Sequence, residues 1–299
     1  EARIATNQET MLIIDDIADS FDYQNKYAII EYLHDLTKNK IFKILILTHN
    51  FDFYRTVRSR LNIDNKYAMQ AIKNKNGISL EKGLTAKNIF NDWLEGLKQG
   101  TISNSKLIAL VPFFRNLCEY ALYSESDCYN FFTALLHIKN NRNYDTNEIK
   151  VKDLEAKIKK ICNLIPGDKS LPQAPDKILK DLIYETANTI QTRSECIDLD
   201  KKITLAIAIR LKAEEYMIKK IINKEKSFNF EQIGENQTRC LTDKFKELFE
   251  VEKSVIEKLD KVNIMTPENI HLNSFMYEPI LDMSIIKLGE LYNSINSLN

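Results

Sequence analysis

The residues best suited to chemistry stand at the ends of two apolar runs. Met11-Leu12-Ile13-Ile14 closes on Asp15-Asp16 and is followed by Ala18-Asp19-Ser20-Phe21-Asp22, while Lys43-Ile44-Leu45-Ile46-Leu47 runs into Thr48-His49-Asn50. Two adjacent carboxylates, a further Asp six residues on and a strand-terminal His make a metal–phosphate address, because phosphoryl transfer needs a carboxylate-held cation and an oriented water. For these groups to act together, they must emerge at one edge. Short Ile- and Leu-rich runs read as parallel strands buried on both faces, and α/β proteins place ligands at the C-terminal ends of such strands. Between the two runs, Ile29, Ile30, Leu33 and Leu36 fall at helical spacing and predict the crossover helix that a parallel pair requires. The competing reading is a buried strand that ends in two acids by chance.

Taken together, the motifs carry a resemblance. Leu12-Ile13-Ile14-Asp15-Asp16 resembles the Walker B strand of the ABC-type ATPase superfamily, Ser20-Phe21-Asp22 its D-loop and Thr48-His49-Asn50 its switch-histidine loop. The Asp-Asp pair and the wording up to Asp22 are similar to the soluble (SMC/RecF-like) bacterial ATPases of DNA repair and phage defence, including the ATPase halves of anticodon nucleases. The resemblance implies ATP and Mg²⁺ as cofactors. Asp15 would hold Mg²⁺ through water, Asp16 would polarise the attacking water, and His49 would contact the γ-phosphate. Asp22 would sit between two nucleotide-binding domains, which implies a homodimer. Asp16 stands where most transporter-type members carry Glu, one methylene longer, and this bears on the hydrolysis rate more than on nucleotide binding.

A complete site of this kind also needs a loop of the form G-x-x-x-x-G-K-[ST], whose backbone N–H groups cradle the phosphates. None of the seven glycines, at 77, 83, 96, 100, 167, 234 and 289, opens or closes one. The signature motif of such ATPases would precede the Walker B strand, yet the chain starts at Glu1, with no Met, ten residues before Met11. The expectation is therefore the C-terminal portion of a longer ATPase.

Composition points to a mainly helical protein around this α/β part. Seven glycines and six prolines in 299 residues argue against an all-β chain full of tight turns, and 44% hydrophobic residues suffice for a sizeable core. Lys plus Arg equal Asp plus Glu at 42 each, so no global basic field announces nucleic acid. Five cysteines without C-x-x-C spacing imply neither a disulfide framework nor a zinc site, and they fit a reducing, cytoplasmic setting. No apolar run approaches a membrane span, so no membrane partner is expected.

The expected organisation is an α/β portion over residues 1–85 and a helical effector or interaction domain over 86–299, with a possible linker at 163–176. The helix from Phe51 to about Leu61 carries Arg55, Arg58 and Arg60, a solvated face or a surface for nucleic acid or a partner domain. Segments 67–73 and 78–82 flank Lys75-Asn76-Gly77, a hairpin signal. Pro112 is expected in the first turn of a helix through Tyr120, and Ala134–Lys139 reads as a second apolar helix. Further helices are predicted around Leu179–Ile190, Leu205–Met217, Phe245–Leu259 and Ile285–Leu291. The stretch Asn269–Pro279 is a buried turn or a docking loop.

Arg115 and Glu119, four apart on one helical face, and the later His137 are the residue types a metal-free ribonuclease needs. His or Glu would take and return the proton and Arg would hold the phosphate. The trio is similar to that proposed for the anticodon nucleases; the alternative is an i,i+4 ion pair with a packed His. The helical part is thus expected to be gated by the ATPase, to be an interaction module beside a separate effector, or to cleave RNA.

Overall fold

The computed structural model describes residues 7–17, 23–74, 77–83, 89–122, 127–140, 143–161, 165–190, 199–234, 236–265 and 283–298. The chain is mixed α/β with a mostly helical body, 62% helix with two small sheets. It divides into two compact units, residues 1–88 and 89–299.

In the first unit, β1 (Thr10–Asp15) and β2 (Phe42–Leu47) pair in parallel, Thr10 opposite Phe42 and Asp15 opposite Leu47. The link between them includes α1 (Tyr23–Thr37), as parallel strands demand. Ile30 of α1 and Phe53 and Val57 of α2 (Phe51–Arg60) are buried together, with Ile46 of β2 packed against them. The sequence reading of strands buried on both faces needs correction, because α1 and α2 cover one face only. On the other face Met11, Ile13, Leu45 and Leu47 are 61%, 63%, 41% and 43% exposed. Beyond α2, β3 (Met69–Asn74) and β4 (Gly77–Lys82) form an antiparallel hairpin. Gly77 at φ +128° supplies the turn conformation that L-residues avoid.

The second unit holds the large core. Its helices are α3 (Ile89–Gln99), α4 (Asn104–Leu122), α5 (Asp127–Thr133), α6 (Val151–Ile161), α7 (Leu179–Thr189), α8 (Leu199–Lys224), α9 (Gln237–Leu248), α10 (Lys253–Met265) and α11 (Ile285–Asn296). The 26-residue α8 is the axis, buried nearly all round from Lys202 to Ile218 and packed by α4, α7, α9, α10 and α11. A helix apolar on every side belongs in the middle of a bundle.

Three sequence expectations change here. Pro112 lies inside α4 rather than in its first turn, because the apolar run Leu107–Val111 extends the helix backwards into the core. Ala134–Lys139 is not a helix: after Thr133 the chain tightens through Leu135 N–H to Phe132 O and Leu136 N–H to Thr133 O, then leaves as an extended segment. Phe245–Leu259 is two helices, since Lys224 Nζ donates to Leu248 O at the end of α9 and Phe249 stacks on Phe245 with ring centroids 4.6 Å apart. Residues 165–176 run through the second unit with Ile165 and Leu171 buried. Among the described residues no helix is long and apolar enough to cross a membrane. Asn269–Pro279 lies outside the described residues.

Candidate functional site

Two groups of polar side chains stand apart from ordinary surface. The first is at the C-terminal end of the parallel pair. Asp16 N–H donates to Leu47 O at 2.9 Å, prolonging the ladder one residue past β1, and the backbone then turns with Asp16 at φ 50°. This carries the Asp16 carboxylate toward the β2–α2 turn, where His49 Nδ1 lies 2.9 Å from Asp16 Oδ1. The turn is built by its own side chains: Asn50 N–H donates to Thr48 Oγ1 at 3.1 Å, and Phe53 N–H donates to Asn50 Oδ1 at 2.8 Å, capping α2. Asp15 is exposed on the same face as Met11 and Ile13. Asp22 and the rest of Ser20–Asp22 lie outside the described residues.

The approach of His49 to Asp16 is close but is not aligned as a hydrogen bond, so Asp16 Oδ1 is a buried acceptor with no hydrogen-bond partner among the described residues. Buried polar atoms are normally satisfied, so this oxygen suits a donor that arrives with a ligand, such as a water. No group of three His, Cys, Asp or Glu among the described residues is arranged to hold a metal ion. A cation at Asp15 would therefore keep most of its own waters, the habit of Mg²⁺. Arg58, read as part of a solvated face or of a surface for nucleic acid or a partner domain, is buried, donating to Tyr54 Oη at 2.8 Å and to Asn65 Oδ1.

The second group is in the helical unit. Arg115 Nη1 donates to Glu119 Oε2 at 3.1 Å and to Asn116 Oδ1 at 3.0 Å; its guanidinium covers the Tyr129 ring at 4.6 Å and donates to Tyr129 Oη. His137 is turned to a different carboxylate: its Nδ1 is 2.7 Å from Oε1 of Glu214 on α8. Glu214 has no exposed side-chain surface. Its Oε1 also accepts from Thr238 Oγ1 at 2.7 Å, and its Oε2 accepts from Ile138 N–H at 2.8 Å and Gln237 Nε2 at 2.9 Å. Burial pushes the Glu214 carboxyl up, but His137 and the donors from Thr238 and Ile138 outweigh it and hold the carboxyl below its ordinary range. Burial holds His137 below its ordinary value despite the Glu214 charge, with Arg210 adding to the effect. The structure thus brings Arg115 to Glu119 and seats His137 on Glu214, a residue the sequence reading did not single out. Its one signal was Glu214-Glu215 inside the apolar run of α8, where a charge needs a partner.

No family model matches the chain, and neither a curated protein nor a solved structure matches it.

Proposed function

We propose that the first unit is the metal-side part of an ABC-type ATPase site and that the intact protein binds and hydrolyses ATP with Mg²⁺. The observation that carries this is the meeting of Asp16 and His49 at the C-terminal end of two parallel strands joined through a helix. Asp15, exposed beside them, would hold the cation through water, which neutralises charge on the phosphates when bound. Asp16 orients the attacking water with its carboxylate, and His49 holds a phosphate oxygen at the same edge. A complete site of this kind would also need a phosphate loop with its lysine. The protein works as a homodimer of nucleotide-binding domains, in phage defence or nucleic-acid processing, with ATP-driven closure gating the helical unit or signalling to a separate effector.

In the intact protein, Asp16→Asn removes the charge that orients water while ground-state contacts survive, so turnover should stop with nucleotide still bound. Unchanged ATP turnover in that variant would refute the assignment. The chain alone should bind ATP weakly, because most of the affinity resides in the phosphate loop; calorimetry giving a low-micromolar affinity for it would contradict that.

A second reading, that the helical unit cleaves RNA, is favoured by one observation: His137 is backed by a carboxylate on Nδ1, the arrangement that fixes a tautomer for proton transfer. In it Arg115 and Glu119 handle the phosphate and a proton. His137→Ala in the intact protein should then abolish RNA cleavage and leave ATPase activity unchanged; cleavage that persists ends this reading. An absence of RNA and DNA cleavage by the intact protein would favour the interaction module.

A further inference from the structure

We propose that the helical unit carries a binding site for a single nucleotide, in a pocket separate from the carboxylate–histidine edge and independent of the ATPase reading. The pocket has a volume of about 370 Å³, within the range of small-molecule sites and roomy for an amino acid or a bare phosphate. It lies where α8 meets the segment after α5. Glu215, Ile218 and Lys219, spaced i, i+3 and i+4, put three of its lining residues on one face of α8. Ile138 and Ile218 are the buried apolar floor. The half-buried Phe230 also lines it, on a turn fixed by Glu231 N–H donating to Asn229 Oδ1 at 3.0 Å. Asn140 and Asn147 also line it, near the bond from Thr146 N–H to Lys139 O at 2.9 Å.

The charges decide what fits. The Glu215 carboxylate is already held, by Lys180 Nζ on Oε1 and by Tyr184 Oη donating to Oε2 at 2.8 Å, so a cationic ligand finds its counter-charge taken. Lys219 has no ion pair among the described residues, so with Glu215 held it is the lining charge left open to a ligand. The ligand should be an anion. One amide N–H of Asn147 is left over after its bonds to Asp145 and Lys180, and the Asn140 amide has no side-chain bond among the described residues. Amides read the donor and acceptor edges of a heterocycle, a phenyl ring stacks on its plane, and an ammonium takes a phosphate. A base with its ribose and one phosphate answers all three. A free mononucleotide and one residue of an RNA strand share this chemistry.

The test is titration of the 299-residue chain with AMP, GMP, CMP and UMP, and with single-stranded RNA tetranucleotides, followed by calorimetry or ligand-observed NMR. At least one mononucleotide or tetranucleotide should bind. Phe230→Ala should weaken it by about tenfold or more, and Lys219→Ala should weaken it and flatten its salt dependence. Equal affinity for mononucleotide and tetranucleotide assigns the free ligand; tighter tetranucleotide binding assigns a strand. Both side chains are at least partly exposed, and thermal unfolding reports whether each variant stays folded; if Phe230→Ala does not, Lys219→Ala decides. Absence of binding at concentrations on the order of 10 mM, or binding that folded Phe230→Ala and Lys219→Ala leave unchanged, overturns the proposal.

Discussion

Glu214 ties the segment after α5 and the first turn of α9 to α8. Removing this carboxylate leaves the buried donors of His137, Ile138, Gln237 and Thr238 without their acceptor, so Glu214→Ala should cost about 3 kcal/mol or more, read as a lower urea midpoint. Glu119, whose side chain is 36% exposed, makes an i,i+4 pair with the buried Arg115, which keeps Asn116 and Tyr129, so Glu119→Ala should cost about 1 kcal/mol, less than Glu214→Ala. Acidity acts through the same pair. Because His137 titrates below its ordinary value of 6.5 when folded, the unfolded chain takes up that proton first, and stability falls as pH drops below about 6.5 toward the folded value. Glu214, held below its ordinary 4.5, contributes stability above that value and loses it as pH falls through the folded value. Urea midpoints should therefore decline on acidification in two stages, and the first stage should be missing in His137→Asn. A midpoint independent of pH down to about 5 would contradict this.

The elements that aim the candidate residues are short and held by local side-chain bonds. Asn50 caps α2 and shapes the turn that presents His49, so Asn50→Ala should destabilise the first unit by about 1 kcal/mol and release His49 from Asp16; amide exchange across the turn would report it. Gly100 ends α3 at φ +70°, with Ser170 O 3.2 Å from where a Cβ would lie, so Gly100→Ala should cost about 1 kcal/mol or more. The two strands, the helix between them and the hairpin were legible because their apolar runs and the Asn76-Gly77 turn leave one local solution. The ends of α4 and the break between α9 and α10 were not. An interior Pro112 is tolerated where tertiary packing of Leu107–Val111 outweighs it, and the α9 stop comes from Lys224, a residue 24 positions from Leu248. The Asp16–His49 meeting followed from strand direction; the seat of His137 on Glu214 did not, because it joins residues 77 apart.

At the scale of the whole chain, the cores differ in size. Among the described residues, the buried cluster of the second unit runs from Trp93 to Ile295, whereas that of the first unit rests on Ile30, Phe53 and Val57. A segment spanning 89–299 should therefore unfold cooperatively when made alone, while 1–88 alone should melt broadly, since so small a core barely offsets chain entropy. Circular dichroism melts of the two segments check this; a sharp transition for 1–88 would mean that its exposed sheet face matters little to its stability.

The positive φ of Asp16 has a consequence for which residues can replace it. Among the described residues, four non-glycine positions take this conformation, and the other three, Asn7, Asn62 and Asn236, are asparagines. Short amide and acid side chains tolerate the left-handed region because they can bond locally, while longer ones lose about 1 kcal/mol or more there. The position can thus drift between Asp, Asn and Gly at little cost to folding. Lengthening it to Glu would work against the backbone, so a protein built on this turn keeps the shorter acid.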